Sequence, residues 1–301
     1  MLRYSVLVGN GLTLDLVSSL GIDTSSPLQH FNHSKINYSN FIDHLPAIKS
    51  ELMVASSLTD FDAITYYVQK NKDNPDKDCQ LRRFLSISYS QLQNVVDNFE
   101  DKIKKWKWTQ WFKENKKSCQ LAISLNYDLA LERSLYYANI SYRRIGTDEP
   151  LGKVPILKPH GSIDFDLPDY AIYCPIEQRW GVTTSLNDAQ YVKTIPKADW
   201  LLPRMEADLI PPSMHNIQRG LSWINEMFNI YTMQAGKINA LIIVGISYWE
   251  VDRPEIDFFL RRLNSKAKIF IMNKTPNPKL LQKIESLGHA YELLGFNDLP
   301  W

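Results

Sequence analysis

His160 stands in Lys158-Pro159-His160-Gly161-Ser162, directly after the short apolar run Val154-Pro155-Ile156-Leu157. An imidazole titrates near neutral pH, so at a strand end it can exchange a proton or orient a hydroxyl or a water. Asn126 and Asp128 end another run, Gln120 to Leu125, in Asn126-Tyr127-Asp128. A carboxamide there can hold a hydroxyl or a water, while Asp128 is as well suited to capping the helix that Leu131 and Leu135 predict. The third group, Val8-Gly9-Asn10-Gly11-Leu12-Thr13, follows the run Tyr4 to Val8. Glycines at a strand-to-helix turn let backbone N–H groups approach a phosphate. The dinucleotide fingerprint asks for a third glycine where Leu14 stands, so this loop taken alone reads equally as a tight turn.

Strands and helices must deliver these groups to one place. Ala240-Leu241-Ile242-Ile243-Val244-Gly245 and Lys268-Ile269-Phe270-Ile271-Met272-Asn273 are continuous apolar runs, the pattern of strands buried on both faces. Helical stripes separate them: Ile217, Leu221, Ile224, Phe228 and Tyr231, then Ile256, Phe259, Leu260 and Leu263. Asp252-Arg253-Pro254-Glu255 reads as the start of the second stripe, with a capping Asp, an early Pro and Glu three residues on. The alternation predicts an α/β fold with a parallel sheet. Ligands of such sheets bind beyond the carboxyl ends of the strands. Gly9-Asn10-Gly11, Asn126-Tyr127-Asp128, His160, Gly245-Ile246-Ser247 and Asn273-Lys274-Thr275 would all meet there.

A helical insertion is expected between the first and second core strands, over residues 27–117, with 1–26 and 118–301 forming the α/β domain. Leu12 to Gly21 reads as a helix ended by Thr24-Ser25-Ser26-Pro27. Phe61, Ile64 and Val68 suggest a short helix, and Leu81, Leu85, Leu92, Val95, Phe99 and Ile103 one long amphipathic helix. Lys70 to Asp78, with Asn74-Pro75-Asp76, reads as an exposed connection. Trp106, Trp108, Trp111 and Phe112, interleaved with lysines, suit packing of the insert better than stacking on bases. Asp15 reads as a solvent-facing residue of the first helix, and Leu299-Pro300-Trp301 as packed back on its own domain.

Composition bounds the function. In 301 residues the formal charge is +1, which argues against direct nucleic-acid binding. The cysteines, Cys79, Cys119 and Cys174, form no C-x-x-C pair, so neither a disulfide framework nor a zinc knuckle is indicated. A reducing cytoplasm fits best. No signal peptide and no apolar stretch long enough to span a membrane is read.

The ordered set G-N-G, S-L-N-Y-D, K-P-H-G-S, V-G-I-S and M-N-K-T-P resembles the sirtuin-like Rossmann domain, and the bacterial sirtuin-like NAD hydrolases of anti-phage defence more than the protein deacylases. The resemblance implies a Rossmann-like, doubly wound, mostly parallel sheet; it covers about two-thirds of the chain and leaves out the insert. It implies that Gly9, Asn10, Gly11 and Thr13 border an NAD site, that Asn126 and His160 carry catalysis with Asp128, that Gly245 and Ser247 line phosphate and ribose, and that Asn273 contacts the adenosine side. Bland alternatives stay open: Asp128 as a cap, Ser247 as a turn residue, Asn273 as a strand end. Leu209-Ile210-Pro211-Pro212 resembles the I-P-P stretch after H-G. Deacylating sirtuins carry zinc on paired C-x-x-C motifs, so their absence here implies NAD hydrolysis to nicotinamide and ADP-ribose, with NAD as substrate, no zinc and no other cofactor. Asn10 replaces a small residue of the G-A-G loop, which bears on how the nicotinamide side is gripped.

The resemblance further implies abortive anti-phage defence by NAD depletion, with a homo-oligomer or a separately encoded ATPase or sensor subunit controlling activity. A non-catalytic module reading NAD or ADP-ribose would use the same pocket. G-N-G followed by Asp15 is also similar to AbiH-like abortive-infection proteins, which would act through a partner ATPase.

Overall fold

The computed structural model describes residues 2–22, 43–52, 60–172, 174–183, 188–202, 204–205, 209–211, 219–295 and 298–301. The readings at Thr24 to Pro27, at Pro212, at Ile217 and at the Phe61 side chain lie outside the described residues.

The core is a seven-stranded sheet made of β1 (Tyr4–Val8), β2 (Cys119–Ser124), β3 (Tyr142–Arg144), β4 (Val154–Leu157), β7 (Ala240–Val244), β8 (Lys268–Met272) and β9 (Tyr291–Leu293). Its order is β3-β4-β2-β1-β7-β8-β9, and every pairing within it is parallel. A separate antiparallel pair, β5 (Phe165–Asp166) and β6 (Lys193–Thr194), lies outside it. β1 sits at the centre, in register with β7 from Tyr4 opposite Ala240 to Val8 opposite Val244.

Strand alternation explains why the runs are apolar throughout. On one face Leu7, Ile123, Leu157, Ile243 and Ile271 pack with α7 (Ser222–Ala235), α8 (Arg253–Arg262) and α9 (Pro278–Ser286). On the other, Val6, Val8, Ala122, Ile156 and Ile242 pack with α1 (Asn10–Leu20), α5 (Lys107–Asn115) and α6 (Ala130–Tyr137). The sheet is therefore doubly wound, the α/β class that the strand and helix alternation predicts. α1 ends as the sequence suggests, on Gly21 with φ 75.

Between β1 and β2 lie α2 (Asp60–Lys70), α3 (Pro75–Val96), α4 (Glu100–Lys105) and α5. Three local readings need correction. The long helix is interrupted at Asp97–Phe99, where Phe99 leaves helical geometry at φ -108 and ψ 37 and Asp97 pairs with Arg133 and Lys197, at 2.8 and 2.9 Å. The stretch from Lys70 is shorter as a connection than expected, because Asn74 caps α3 by accepting from the Lys77 N–H at 3.1 Å and Pro75 occupies its first turn. Asp15 does not face solvent: Trp106 Nε1 donates to it at 3.0 Å and Lys107 pairs with it at 3.0 Å.

Trp106, Trp108, Trp111 and Phe112 are buried in the same core as α1, so they pack on the sheet and present no stacking platform. The carboxy-terminal segment also packs on its own sheet, where Trp111 Nε1 donates to the Pro300 carbonyl at 2.7 Å. A third core joins α2 and α3 to the strand ends. Leu81, Phe84, Leu85 and Ile87 of α3 pack with Tyr127, Leu129, Ile163, Trp200 and Leu209. The helices thus seat on the loops that follow β2 and β4.

Candidate functional site

The loops after β1 and β7 cross at backbone contact. A Cβ on Gly11 would lie 2.4 Å from Gly245 Cα, and one on Gly9 would lie 2.8 Å from the Gly245 carbonyl oxygen. The Gly9 N–H donates to Val244 O at 3.0 Å and the Gly11 N–H to Gly245 O at 3.0 Å. Those two N–H groups are therefore spent on joining the loops. What these glycines provide is the close approach itself, with Gly245 at φ 62.

Asn126, Thr13 and Asp128 form one buried relay across that joint. Asn126 Nδ2 donates to Gly9 O at 2.9 Å and to Thr13 Oγ1 at 3.0 Å. The Thr13 hydroxyl then donates to Asp128 Oδ2 at 2.7 Å, and Asp128 Oδ1 accepts the Ala130 N–H at 2.9 Å. Asp128 is thus a helix-start cap and a relay member at once. Because donors and acceptors match along the chain, each bond polarises the next and the side chains are held in one arrangement. Gln93 of α3 supports the turn from outside, its Oε1 accepting the Leu129 N–H at 2.9 Å.

His160 enters beside this relay from the end of β4. Its turn is fixed by Gly161 at φ 82 and by the Ile210 N–H donating to the His160 carbonyl at 3.0 Å. Nδ1 lies 3.2 Å from the Leu125 carbonyl, one residue before Asn126. A carbonyl only accepts, so Nδ1 carries hydrogen and Nε2 is the position open to exchange. Nε2 faces Glu255 Oε1 at 3.7 Å, an ion-pair distance that leaves no direct hydrogen bond. Burial by itself disfavours the imidazolium, but the Glu255 carboxylate, then Asp252 and the Leu125 carbonyl, outweigh it and hold the His160 pKa above the ordinary histidine value. Burial in turn raises the Asp252 carboxyl, against the opposing effect of His160.

A group with a raised folded pKa stabilises the fold fully below its unfolded value, near 6.5 for histidine, and loses that contribution as pH rises through the folded value. The stability difference between wild type and His160→Gln should therefore shrink as pH rises above about 6.5. Urea unfolding at a series of pH values measures it, and a constant difference would contradict the ion pair.

The remaining expected residues divide. Asn273 is committed to backbone, its Oδ1 accepting the Ile246 N–H at 3.0 Å and its Nδ2 donating to Ile246 O at 2.6 Å. It locks the loop after β7 to the end of β8. Ser247 is exposed in that loop, and its carbonyl accepts from Asn277 Nδ2 at 2.9 Å. Asn10 is exposed at the first position of α1. Gly9, Gly11, Thr13, Asn126, Asp128, His160, Gly245 and Asn273 are thus connected through the strand ends, with Asn10 and Ser247 on the open side.

Two sets of residues escape sequence reading. Glu255 and Asp252 look like a capping box, yet Asp252 makes no side-chain cap on α8 and both carboxylates act on His160. Lys158 is fully buried, donates to the Asp128 carbonyl at 2.6 Å and pairs with Glu132 Oε1 at 2.9 Å. The available signal for Lys158 was its place two residues before His160, since a lysine inside an apolar turn must find a partner. Among the described residues, no group of three or more His, Cys, Asp or Glu side chains is placed to hold a metal ion, and no helix is long and apolar enough to cross a membrane.

No family model matches the chain, and no curated protein matches it. Solved structures do show likeness. Sir2Tm bound to a propionylated peptide is 12% identical, with 96% of this chain and 86% of that chain covered and a TM-score of 0.38. A Sir2 homologue mutant in complex with ADP-ribose is 13% identical, with 95% and 89% covered and a TM-score of 0.40. A structure concerned with the mechanism and regulation of Sir2 enzymes is 14% identical, with 95% and 93% covered and a TM-score of 0.33. The α/β assignment rests on this chain's own parallel sheet, with helices on both of its faces.

Proposed function

We propose that the chain is an NAD hydrolase that releases nicotinamide and ADP-ribose. The observation that carries this reading is the Asn126–Thr13–Asp128 relay set beside a buried His160, at the joined carboxyl ends of β1, β2, β4 and β7. The sirtuin-like order of the motifs supplies the substrate. Cleavage of the N-glycosidic bond passes through an oxocarbenium-like state, which asks for positioning and charge complementarity more than for a covalent nucleophile. Asn126 would face the ribose with its Oδ1, its amide hydrogens being held by Gly9 and Thr13. His160 would present Nε2 to the reacting hydroxyl or water, with Gly9, Asn10, Gly11, Thr13, Gly245 and Ser247 around the phosphates and riboses. Asp128 would act through Thr13, and Asn273 through the loop that carries Ser247.

The commitment of the Asn126 amide hydrogens also supports a second reading, a module that binds NAD or ADP-ribose without turnover and regulates a partner. Purified protein incubated with NAD and followed for nicotinamide separates the two. Wild type should release it, and Asn126→Ala and His160→Ala should each lose about 100-fold or more in kcat. Binding without release, in every oligomeric state, would sink the hydrolase and favour the module. An NAD hydrolase of this kind would serve anti-phage defence by depleting NAD, under control of self-association or of a separately encoded ATPase or sensor. An AbiH-like protein acting through such an ATPase would share that control.

A further inference from the structure

Glu255 projects from the first turn of α8 into the buried space beside His160, and both side chains are almost wholly enclosed. Among the described residues, two polar atoms there have no hydrogen-bond partner: His160 Nε2 and Glu255 Oε2. Each orphaned buried polar atom costs about 1–3 kcal/mol, so two of them on side chains whose nearest approach, Nε2 to Oε1, is 3.7 Å call for an occupant. The groups facing Nε2 are Glu255 and Asp252, while Leu125 O occupies the Nδ1 side. With Nδ1 hydrogen-bonded to a carbonyl and carboxylates opposite, Nε2 also carries hydrogen and acts as a donor.

A donor and an acceptor carboxylate side by side are complementary to one oxygen that bears a hydrogen. Its lone pair would accept from Nε2–H and its hydrogen would point to Oε2. We infer that Glu255 is a catalytic residue, the base that takes the proton from the attacking water while His160 holds the water's oxygen. This rests on the hydrolase reading of the site. In the step, one O–H bond of water breaks and its proton forms a new O–H bond on Glu255 Oε2. The electron pair left on oxygen forms the bond to the ribose anomeric carbon, and the glycosidic pair leaves on nicotinamide nitrogen, which becomes neutral. The imidazolium is unchanged, and Glu255 then passes its proton to solvent, the one proton that hydrolysis of NAD must release.

This assignment moves the base from His160 to Glu255, and kinetics distinguish them. Glu255→Gln keeps the volume and a hydrogen-bonding tip but removes the proton sink. Its kcat for nicotinamide release should fall about 100-fold with KM within about threefold, and the acid-side fall of kcat that a carboxylate base would give the wild type should be absent. Glu255→Asp should recover part of the rate, which a purely structural loss would not. In the same variants, NMR titration of the His160 ring reads the pair without turnover: removal of the facing carboxylate should lower its midpoint.

A Glu255→Gln enzyme with wild-type kcat and an unchanged pH profile overturns the assignment while leaving the hydrolase reading intact. A His160 midpoint identical in the two proteins overturns it as well. A wild type that binds NAD but never releases nicotinamide overturns both readings together.

Discussion

Gly245→Ala is expected to lower the protein's stability by about 3 kcal/mol or more. At this residue φ is 62, and an added Cβ would stand 2.3 Å from Gly11 Cα, 2.6 Å from Gly11 C and 2.7 Å from Gly11 N. All three are backbone atoms, so no side chain can swing aside. The loops after β1 and β7 must separate, which breaks the Gly11 N–H bond to Gly245 O and loosens the bond from Gly9 to Val244. A left-handed alanine costs about 1–2 kcal/mol by itself, and overpacking adds about 1–3 more. The total, about 3 kcal/mol or more, is a large part of a typical domain's stability. Gly21 provides the contrast, because φ is 75 there but nothing among the described residues lies within 4 Å of its added Cβ. Gly21→Ala should lose only the conformational part. Urea midpoints of the two variants decide the matter, and equal losses would mean that the loops do not touch as described.

Lys158→Met should be nearly as damaging, for an electrostatic reason. The ammonium group is fully buried against Glu132, whose side chain is 3% exposed. Removing one member of a buried ion pair leaves a charge in a low-dielectric surround, at a cost of about 3–5 kcal/mol. The Asp128 carbonyl also loses the donor that holds it at 2.6 Å. Adding Glu132→Leu to Lys158→Met removes the stranded carboxylate and should restore most of the lost stability. Thermal or urea unfolding of both single variants and the double variant gives the coupling directly. If the second substitution deepened the loss instead, Glu132 would not be the partner that matters.

The central strands were legible because burial on both faces forces unbroken apolar runs, as in Ala240 to Val244. The edge strands were not: β3 and β9 consist of Tyr-Arg-Arg and Tyr-Glu-Leu, partly exposed and carrying charge, so they have no run to read. The interruption at Asp97–Phe99 was invisible for a related reason, since the partners that hold Asp97 there, Arg133 and Lys197, are distant in sequence. In the site, residue types at strand ends could be named from sequence, but their partners could not. Glycine was read for what it lets a ligand approach, whereas Gly11 and Gly245 admit one another. A charged residue at a helix start looks the same whether it caps the helix or faces a buried imidazole 95 positions away. Glu255 is therefore ambiguous until the sheet order puts β4 and α8 on opposite sides of one gap.

The central place of β1 has a consequence in time. Tyr4 to Val8 is the first strand of the chain, yet its neighbours on the two sides begin at Cys119 and Ala240. Parallel pairing over such separations must close long loops before any ladder bond repays the entropy, which slows folding. During synthesis this five-residue strand, entirely buried in the finished molecule, waits for more than two hundred residues to follow. Until then it is an open sheet edge on at least one side, the kind of surface on which chains aggregate. The joint between Gly11 and Gly245 consequently cannot form before β7 is made, so no amino-terminal fragment that ends ahead of Gly245 can contain a finished site.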